Sequence, residues 1–242
     1  MRFNISGIAT SILLAATLTG CATQANRDPL EGFNRGVYKF NDTADKAVLK
    51  PIAGAYKAVL PSPIRTGVNN FFTNLATVTS IINNVLQLEL GKAMDNTGRL
   101  LINSTLGIGG LVDVASMDGV PKHNADFGQT LGRWGVGSGA YLVLPFLGPS
   151  TIRDTAGLTV DTLAFDPIQY VDSPRVRNQL RMVKFIDLRS QYLPASDLLD
   201  EAALDPYTFM RDAYLQRREQ FVTGKVSSNE FDDDDDEEEA AK

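Results

Sequence analysis

Apolar positions recur at helical spacing along most of the chain, and proline-marked openings divide them into segments. Asp28-Pro29 with Glu31 predicts a helix running to about Leu49, which Pro51 should end. Ser62-Pro63 opens a second helix, with Ile64, Val68, Phe71, Phe72 and Leu75 mainly on one side and Ile81, Ile82, Val85 and Leu86 continuing it. Ser173-Pro174 starts a third, to about Tyr192, with Val176, Leu180 and Val183 as its apolar stripe. Asp205-Pro206 opens the last, through Phe209, Ala213 and Phe221 to Gly224. Alternation of convincing length for strands is absent, so the expected class is all-α, in a single domain.

The stretch between Leu106 and Ser150 breaks this pattern. Glycine is dense there, and the apolar runs "LGIGGLVDVA" and "GAYLVLPFLGPS" lack clean periodicity. Pro145 and Pro149 exclude a regular helix through the second. The block "GRLLINSTLGIGGLVDVA", Gly98 to Ala115, would span about 27 Å as one helix, near the thickness of a hydrocarbon core. Arg99 and the glycines at 107, 109 and 110 argue against a membrane span. They divide the block into a short helix, about 98–105, and a flexible apolar continuation. Such a region packs inside the fold or sits in an apolar medium other than water.

The two ends carry a different kind of information. Arg2, the apolar run Ile8 to Leu18 and "LTGC" form a secretory signal ending in a lipobox, in which Cys21 takes the lipid and becomes the new N-terminus. Cys21 is the sole cysteine of the 242 residues, so it has no internal disulfide partner. Ala22 after it points, by analogy, to outer-membrane delivery. Residues 1–20 are thus the signal, 21–27 a lipidated linker, 28–224 the helical domain and 225–242 an acidic tail. The run Asp232 to Glu239 accounts for the formal net charge of −6, and the body without it is near neutral. Like charges in such a block repel, and the tail is expected to be disordered.

Candidate chemistry is sparse. A Gly-x-Ser-x-Gly elbow is missing, and the single histidine, His123, lies in a polar loop-like stretch. One histidine and no available thiol leave metals only an all-oxygen site. "GVGSG" (Gly135 to Gly139) and "GIGG" (Gly107 to Gly110) lack the strand, lysine and spacing of phosphate loops. A near-neutral body behind a secretory signal does not suit nucleic acid, and no pair of carboxylates stands out for glycoside hydrolysis. No cofactor is expected. Arg177, Arg181 and Lys184, at i, i+4 and i+7, form a cationic helix face. It is either a solvated face paired with Asp187 and other carboxylates or an attractor for lipid phosphates. Amphipathic helices of this kind can lie in the plane of a leaflet, yet a soluble body with an ordinary core would give much the same composition.

Longer blocks narrow the choice. "DPLEGFNRGVYKFND" (Asp28 to Asp42), "GRLLINSTLGIGGLVDVA" (Gly98 to Ala115), "DFGQTLGRWGVGSGAYLVLPFLGPSTIRD" (Asp126 to Asp154) and "DPYTFMRDAYLQRR" (Asp205 to Arg218) resemble the MlaA family, or VacJ-like lipoproteins, in the right order. The family's usual Gly-Pro-Tyr reads Gly139-Ala140-Tyr141, and the acidic tail has no counterpart. The resemblance implies an all-helical, ring-like outer-membrane lipoprotein lying in the inner leaflet beside a trimeric porin. It further implies a polar channel that takes mislocalised phospholipid from the outer leaflet to a periplasmic carrier, MlaC, with no covalent chemistry. Polar residues inside apolar sequence, Asn103, Ser104 and Asp113, are the candidates for the lipid path.

Overall fold

The computed structural model describes residues 28–224, the side chains of 199–202 excepted; the signal, Cys21, the linker and the acidic tail lie outside them. Helices α1 (Glu31–Ala44), α2 (Lys50–Val59), α3 (Ser62–Leu86), α4 (Leu90–Thr105) and the short α5 (Val114–Met117) come first. Then follow α6 (Phe127–Arg133), a hairpin of β1 (Tyr141–Leu144) and β2 (Gly148–Thr151), and α7 (Ile152–Val160). The long α8 (Pro174–Ala202) and α9 (Pro206–Thr223) complete the fold, which is predominantly helical.

Four boundaries differ from expectation, each for a physical reason. Asp28 does not cap α1, whose first residue is Glu31; its carboxylate binds Asn34 and the Tyr207 hydroxyl instead. Pro51 does not end the first helical run. A π-helical turn, Asp45–Leu49, inserts one residue and closes on Lys50 N–H to Asp45 O, so the proline ring enters α2 near its start. The third predicted helix runs on through Pro194 to Ala202. "GAYLVLPFLGPS" is an antiparallel hairpin, not irregular chain: Tyr141 pairs with Thr151, Leu142 with Ser150, Val143 with Pro149 and Leu144 with Gly148. Four-residue strands are too short to show alternation, and Pro149 is tolerated in a two-stranded ladder.

A hairpin this small is marginal alone, and α1 supplies its missing partner. The Asn34 amide donates to Tyr141 O (3.0 Å) and accepts from Val143 N–H (2.9 Å). Two turns on, Asn41 donates to Leu144 O (2.9 Å) and accepts from Phe146 N–H (2.8 Å). Two side-chain amides at i, i+7 therefore do the work of a third strand. Behind them Tyr141, Val143 and Tyr207 form a small aromatic core, with Tyr38 and Tyr207 edge to face at 5.8 Å.

The rest of the interior is largely polar. On α3 the buried stripe is Asn74, Thr77, Ser80, Asn83 and Asn84, while of its predicted apolar set only Phe72 is buried. Asn83 binds Asp161 (2.9 Å) and Thr130 (2.8 Å), tying α3 to α6 and to the π-helical turn after α7. Helices α6 and α7 cross so closely that a Cβ on Gly157 would collide with the Gly128 backbone. Beside that crossing, Arg218 of α9 bridges Asp126 (2.6 and 2.9 Å) and Asp154 (2.9 and 3.0 Å), with Arg153 and the Tyr214 hydroxyl also on Asp154. Desolvation alone would raise the Asp154 carboxyl; Arg218, then Arg153 and Tyr214, outweigh it and hold it below the ordinary range.

Two outcomes follow for stability. Replacing Asn34 with Ala strands the Tyr141 and Val143 backbone groups and removes one donor from the Asp28 carboxylate. Thermal melts in detergent should show a loss of about 2–4 kcal/mol, with Asn41→Ala losing less because Asn41 is more exposed. For pH, the depressed Asp154 contributes stability that is present above its unfolded value of 3.8 and lost as pH falls below it. Arg218→Gln removes the main cation from buried Asp154, leaving Arg153 and Tyr214; it should cost about 2–4 kcal/mol at neutral pH and should flatten that acid-side loss. An unchanged acid slope would contradict the assignment.

Candidate functional site

Polarity along Gly98 to Ala115 is reversed relative to a water-soluble fold. Leu101, Leu106, Ile108, Leu111 and Val112 are exposed, whereas Arg99 and Asn103 are buried. Inside, Asp113 accepts from Arg99 through both oxygens (2.9 Å each), from Asn103 (2.9 Å) and from the Ser116 hydroxyl (2.6 Å). Asn103 also accepts from Ala115 N–H at 2.9 Å. Burial would raise the Asp113 carboxyl, but Ser116, Asn103 and Arg99 hold it below the ordinary carboxylate range. Ser104 accepts from Asn74 at 2.9 Å. Of the three residues nominated for a lipid path, Asn103 and Asp113 lie in one network, while Ser104 is exposed and bonds to Asn74 of α3 instead.

The apolar half of the block is held outward by a tight turn after α4. Gly109 and Gly110 have positive φ, and a Cβ at Gly110 would strike Asn74. Ile108 itself sits at φ 54°, a conformation that costs a β-branched residue about 1–2 kcal/mol. Leu88 and Phe146, the other non-glycine residues at positive φ among those described, are likewise large, apolar and exposed. More broadly, buried polar and charged side chains outnumber buried apolar ones among the described residues, and large apolar side chains crowd the exterior. Patches on that scale mark contact with something other than water. No helix among the described residues is long and apolar enough to cross a membrane.

A cavity of about 680 Å³ opens between α1, the hairpin, α8 and α9. Phe146 and Leu147 of the hairpin, Phe185 and Leu188 of α8, and Phe209 and Met210 of α9 make its walls apolar. Charges collect at one side: Arg189 grips Asp45 through two bonds of 2.6 Å, Lys46 pairs with Asp42 and Lys50 with Asp197. The π-helical turn places Asp45 there. Arg217 reaches the same cavity and lies 5.2 Å from the Phe221 ring, with no described carboxylate in ion-pair range. An apolar pocket edged by cations suits an amphiphile with an anionic head. Sequence reasoning missed this site. Asp45 and Arg189 are 144 residues apart, and nothing local links them.

Arg177, Arg181 and Lys184 gather over the turn before α8. Arg177 donates to Gln169 O (3.2 Å), Arg181 to the Gln169 side chain (2.7 Å), and Lys184 lies 3.8 Å from Asp166. Asp187 faces elsewhere, toward Tyr56 and Gln191. His123 contacts Asp95 at 2.9 Å. Among the described residues, no group of three or more histidine, cysteine or acidic residues is arranged to hold a metal ion.

Comparison with known proteins gives these features a context. The family model of the MlaA lipoproteins matches residues 26–221. The intermembrane phospholipid transport system lipoprotein MlaA of Shigella flexneri is 34% identical over 228 residues, covering 93% of this chain and 90% of that protein. Its Escherichia coli K12 counterpart is 34% identical with the same shares, and an uncharacterized Rickettsia felis protein is 38% identical over 81% of this chain and 78% of its own. A solved structure described as the structural basis for maintenance of bacterial outer membrane lipid asymmetry superposes with a TM-score of 0.71 at 37% identity. It covers 81% of this chain and 98% of that one. An apolar exterior, a polar interior and a matched length of nearly the whole described domain converge: the chain belongs to the MlaA lipoprotein family.

Proposed function

We propose that this protein is an outer-membrane lipoprotein that removes mislocalised phospholipid from the outer leaflet and passes it to a periplasmic carrier of the MlaC kind. In this reading Cys21 carries the anchor, and the ring-like helical body lies in the inner leaflet beside a trimeric porin. The observation that carries it is the reversed polarity: apolar side chains such as Leu106 and Ile108 face out, while Asn, Asp and Arg side chains bond to one another inside. A body built this way is at home in hydrocarbon, and a polar interior lowers the cost of moving a charged head through it. The names borne by the relatives, phospholipid transport and outer-membrane lipid asymmetry, agree with that physics.

The cavity between α1, the hairpin, α8 and α9 is the place for the lipid's apolar part, with the cations at its edge near the phosphate. Displaced lipid runs down its own gradient, so this step requires no nucleotide and no covalent chemistry. The protein acts as a conduit, not an enzyme.

Deleting the protein should raise outer-leaflet phospholipid and detergent sensitivity, and the wild-type chain should reverse both. Ala213 lines the cavity and is exposed, so Ala213→Trp fills space without disturbing the core. Expressed at the wild-type level, it should fail to lower outer-leaflet phospholipid. Full rescue by Ala213→Trp would remove the cavity from the route. Defective porin assembly with no rise in outer-leaflet lipid would identify a structural lipoprotein instead.

A further inference from the structure

A second, smaller cavity of about 270 Å³ lies between α2, α3 and α8, and it differs in character from the first. Its lining is polar: Lys57, Arg65, Asn69, Asp187 and Gln191, with Ser62, Thr66 and Ser190. Asp187 is 3% exposed. Its carboxylate accepts from neutral donors, the Tyr56 hydroxyl (2.9 Å), Gln191 (2.8 Å) and Asn69 (3.5 Å), and no described cation lies in ion-pair range. Burial, and then the hydrogen bond to Asp187, push the Tyr56 hydroxyl up to about 12, which keeps it a donor. Asp154 has Arg218 at 2.9 Å and Asp28 has Arg211 at 3.6 Å; buried Asp161, like Asp187, has only neutral donors, Asn83 and the Phe127 N–H, but it does not line this space. An anion buried without a cation is costly, and here it lines an open polar space.

Two cations line the same space without an acid. Lys57 is exposed, and Arg65 directs its Nε to Leu60 O (3.1 Å); neither lies in ion-pair range of a described carboxylate. The turn joining α2 to α3 adds the third feature. Val59, two residues after Lys57, is 76% exposed, and Ile64, next to Arg65, is 52% exposed. One buried anion, two unpaired cations and two exposed apolar side chains therefore share one small region.

We propose that this pocket seats the phosphoethanolamine head of a zwitterionic phospholipid, with Asp187 receiving the primary ammonium and Lys57 and Arg65 the phosphate. The acyl chains of a lipid held here leave over Val59 and Ile64, since the cavity is too small for a whole lipid; it is a head-group station separate from the larger apolar cavity, and a lipid occupies the two in turn. The assignment rests on the lipid-transport reading and adds the head group that the protein selects. A glycerol head offers Asp187 no positive charge. A choline head offers a charge but no N–H to donate, and three methyl groups to accommodate. Either leaves a buried carboxylate poorly matched, the situation that gives the largest discrimination between similar ligands.

The test is lipid capture by the full-length lipoprotein from vesicles holding equal parts phosphatidylethanolamine, phosphatidylglycerol and phosphatidylcholine, read by mass spectrometry. The wild-type protein should take the ethanolamine lipid about tenfold over each of the others, as expected when a buried carboxylate held only by neutral donors gains a charge-assisted hydrogen bond from one head group and not from the others. Asp187→Asn should bring the captured ratio to the input ratio while total lipid holds. The double change Lys57→Gln, Arg65→Gln should lower capture of all three and leave the ratio unchanged. Equal capture by the wild-type protein overturns the proposal whatever the variants do, so a misfolded Asp187→Asn does not shield it. Capture of no lipid at all overturns the transport reading and this one with it. Calorimetric binding of soluble O-phosphoethanolamine, with no preference among vesicle lipids, would make this a site for a free amino phosphate and overturn the lipid assignment.

Discussion

Most carboxylates, guanidinium groups and amides facing the inside of this protein find their partners within the chain, and the fold is arranged around those pairings. Asp113 binds Arg99, Asn103 and Ser116; Asp154 binds Arg218, Arg153 and Tyr214; Asn83 joins Asp161 to Thr130. The first closes the turn between consecutive helices α4 and α5, and the other two join elements distant in sequence, as an apolar core would elsewhere. The difference is directional. Hydrogen bonds fix orientation as well as distance, and a half-satisfied network costs more than an apolar contact. Polar contacts therefore set the geometry of the interior, which frees the apolar side chains to face outward.

That division explains the strained turns. Leu88, Ile108 and Phe146 occupy backbone conformations that glycine would adopt more easily, and all three are exposed. A turn in water would gain from glycine or asparagine there. In the proposed leaflet setting, each large side chain would gain free energy from contact with lipid, and that gain would offset the strain. The hairpin belongs to the same scheme. Asn34 and Asn41 pin β1 to α1 through the backbone, so Phe146 and Leu147 are carried out over the cavity on a short, braced support.

Much of this was legible in the sequence, though not its polarity. Proline-marked openings located α3, α8 and α9 at their first residues, and Gly224 marks the end of α9 in a left-handed cap. The division of Gly98 to Ala115 after residue 105 matches the end of α4, but the helix is not the short one expected over 98–105: it begins at Leu90. Amphipathicity tells which side of a helix is apolar but not which side faces the protein: on α3 the fully buried stripe is mainly polar, and the apolar set other than Phe72 is half-buried or exposed. The π-helical turn before Pro51 and the four-residue strands are set by tertiary partners, Arg189 and Asn34 among them. The cavity and the polar pocket join residues of helices far apart in the chain. The spacing of Asn34 and Asn41 was the one local signal of the hairpin clamp, and it has meaning only once β1 lies beside α1.

The account stands on the exterior facing lipid. Its most direct test is photo-crosslinking in native membranes, from probes placed at Leu101, Leu106 and Ile108, with the exposed polar position Asp118 as control. Adducts to phospholipid acyl chains at the three apolar positions, and none at Asp118, are the predicted result. Absence of lipid adducts at Leu106 and Ile108, with protein adducts in their place, would mean that these side chains are covered by a partner and would contradict the account.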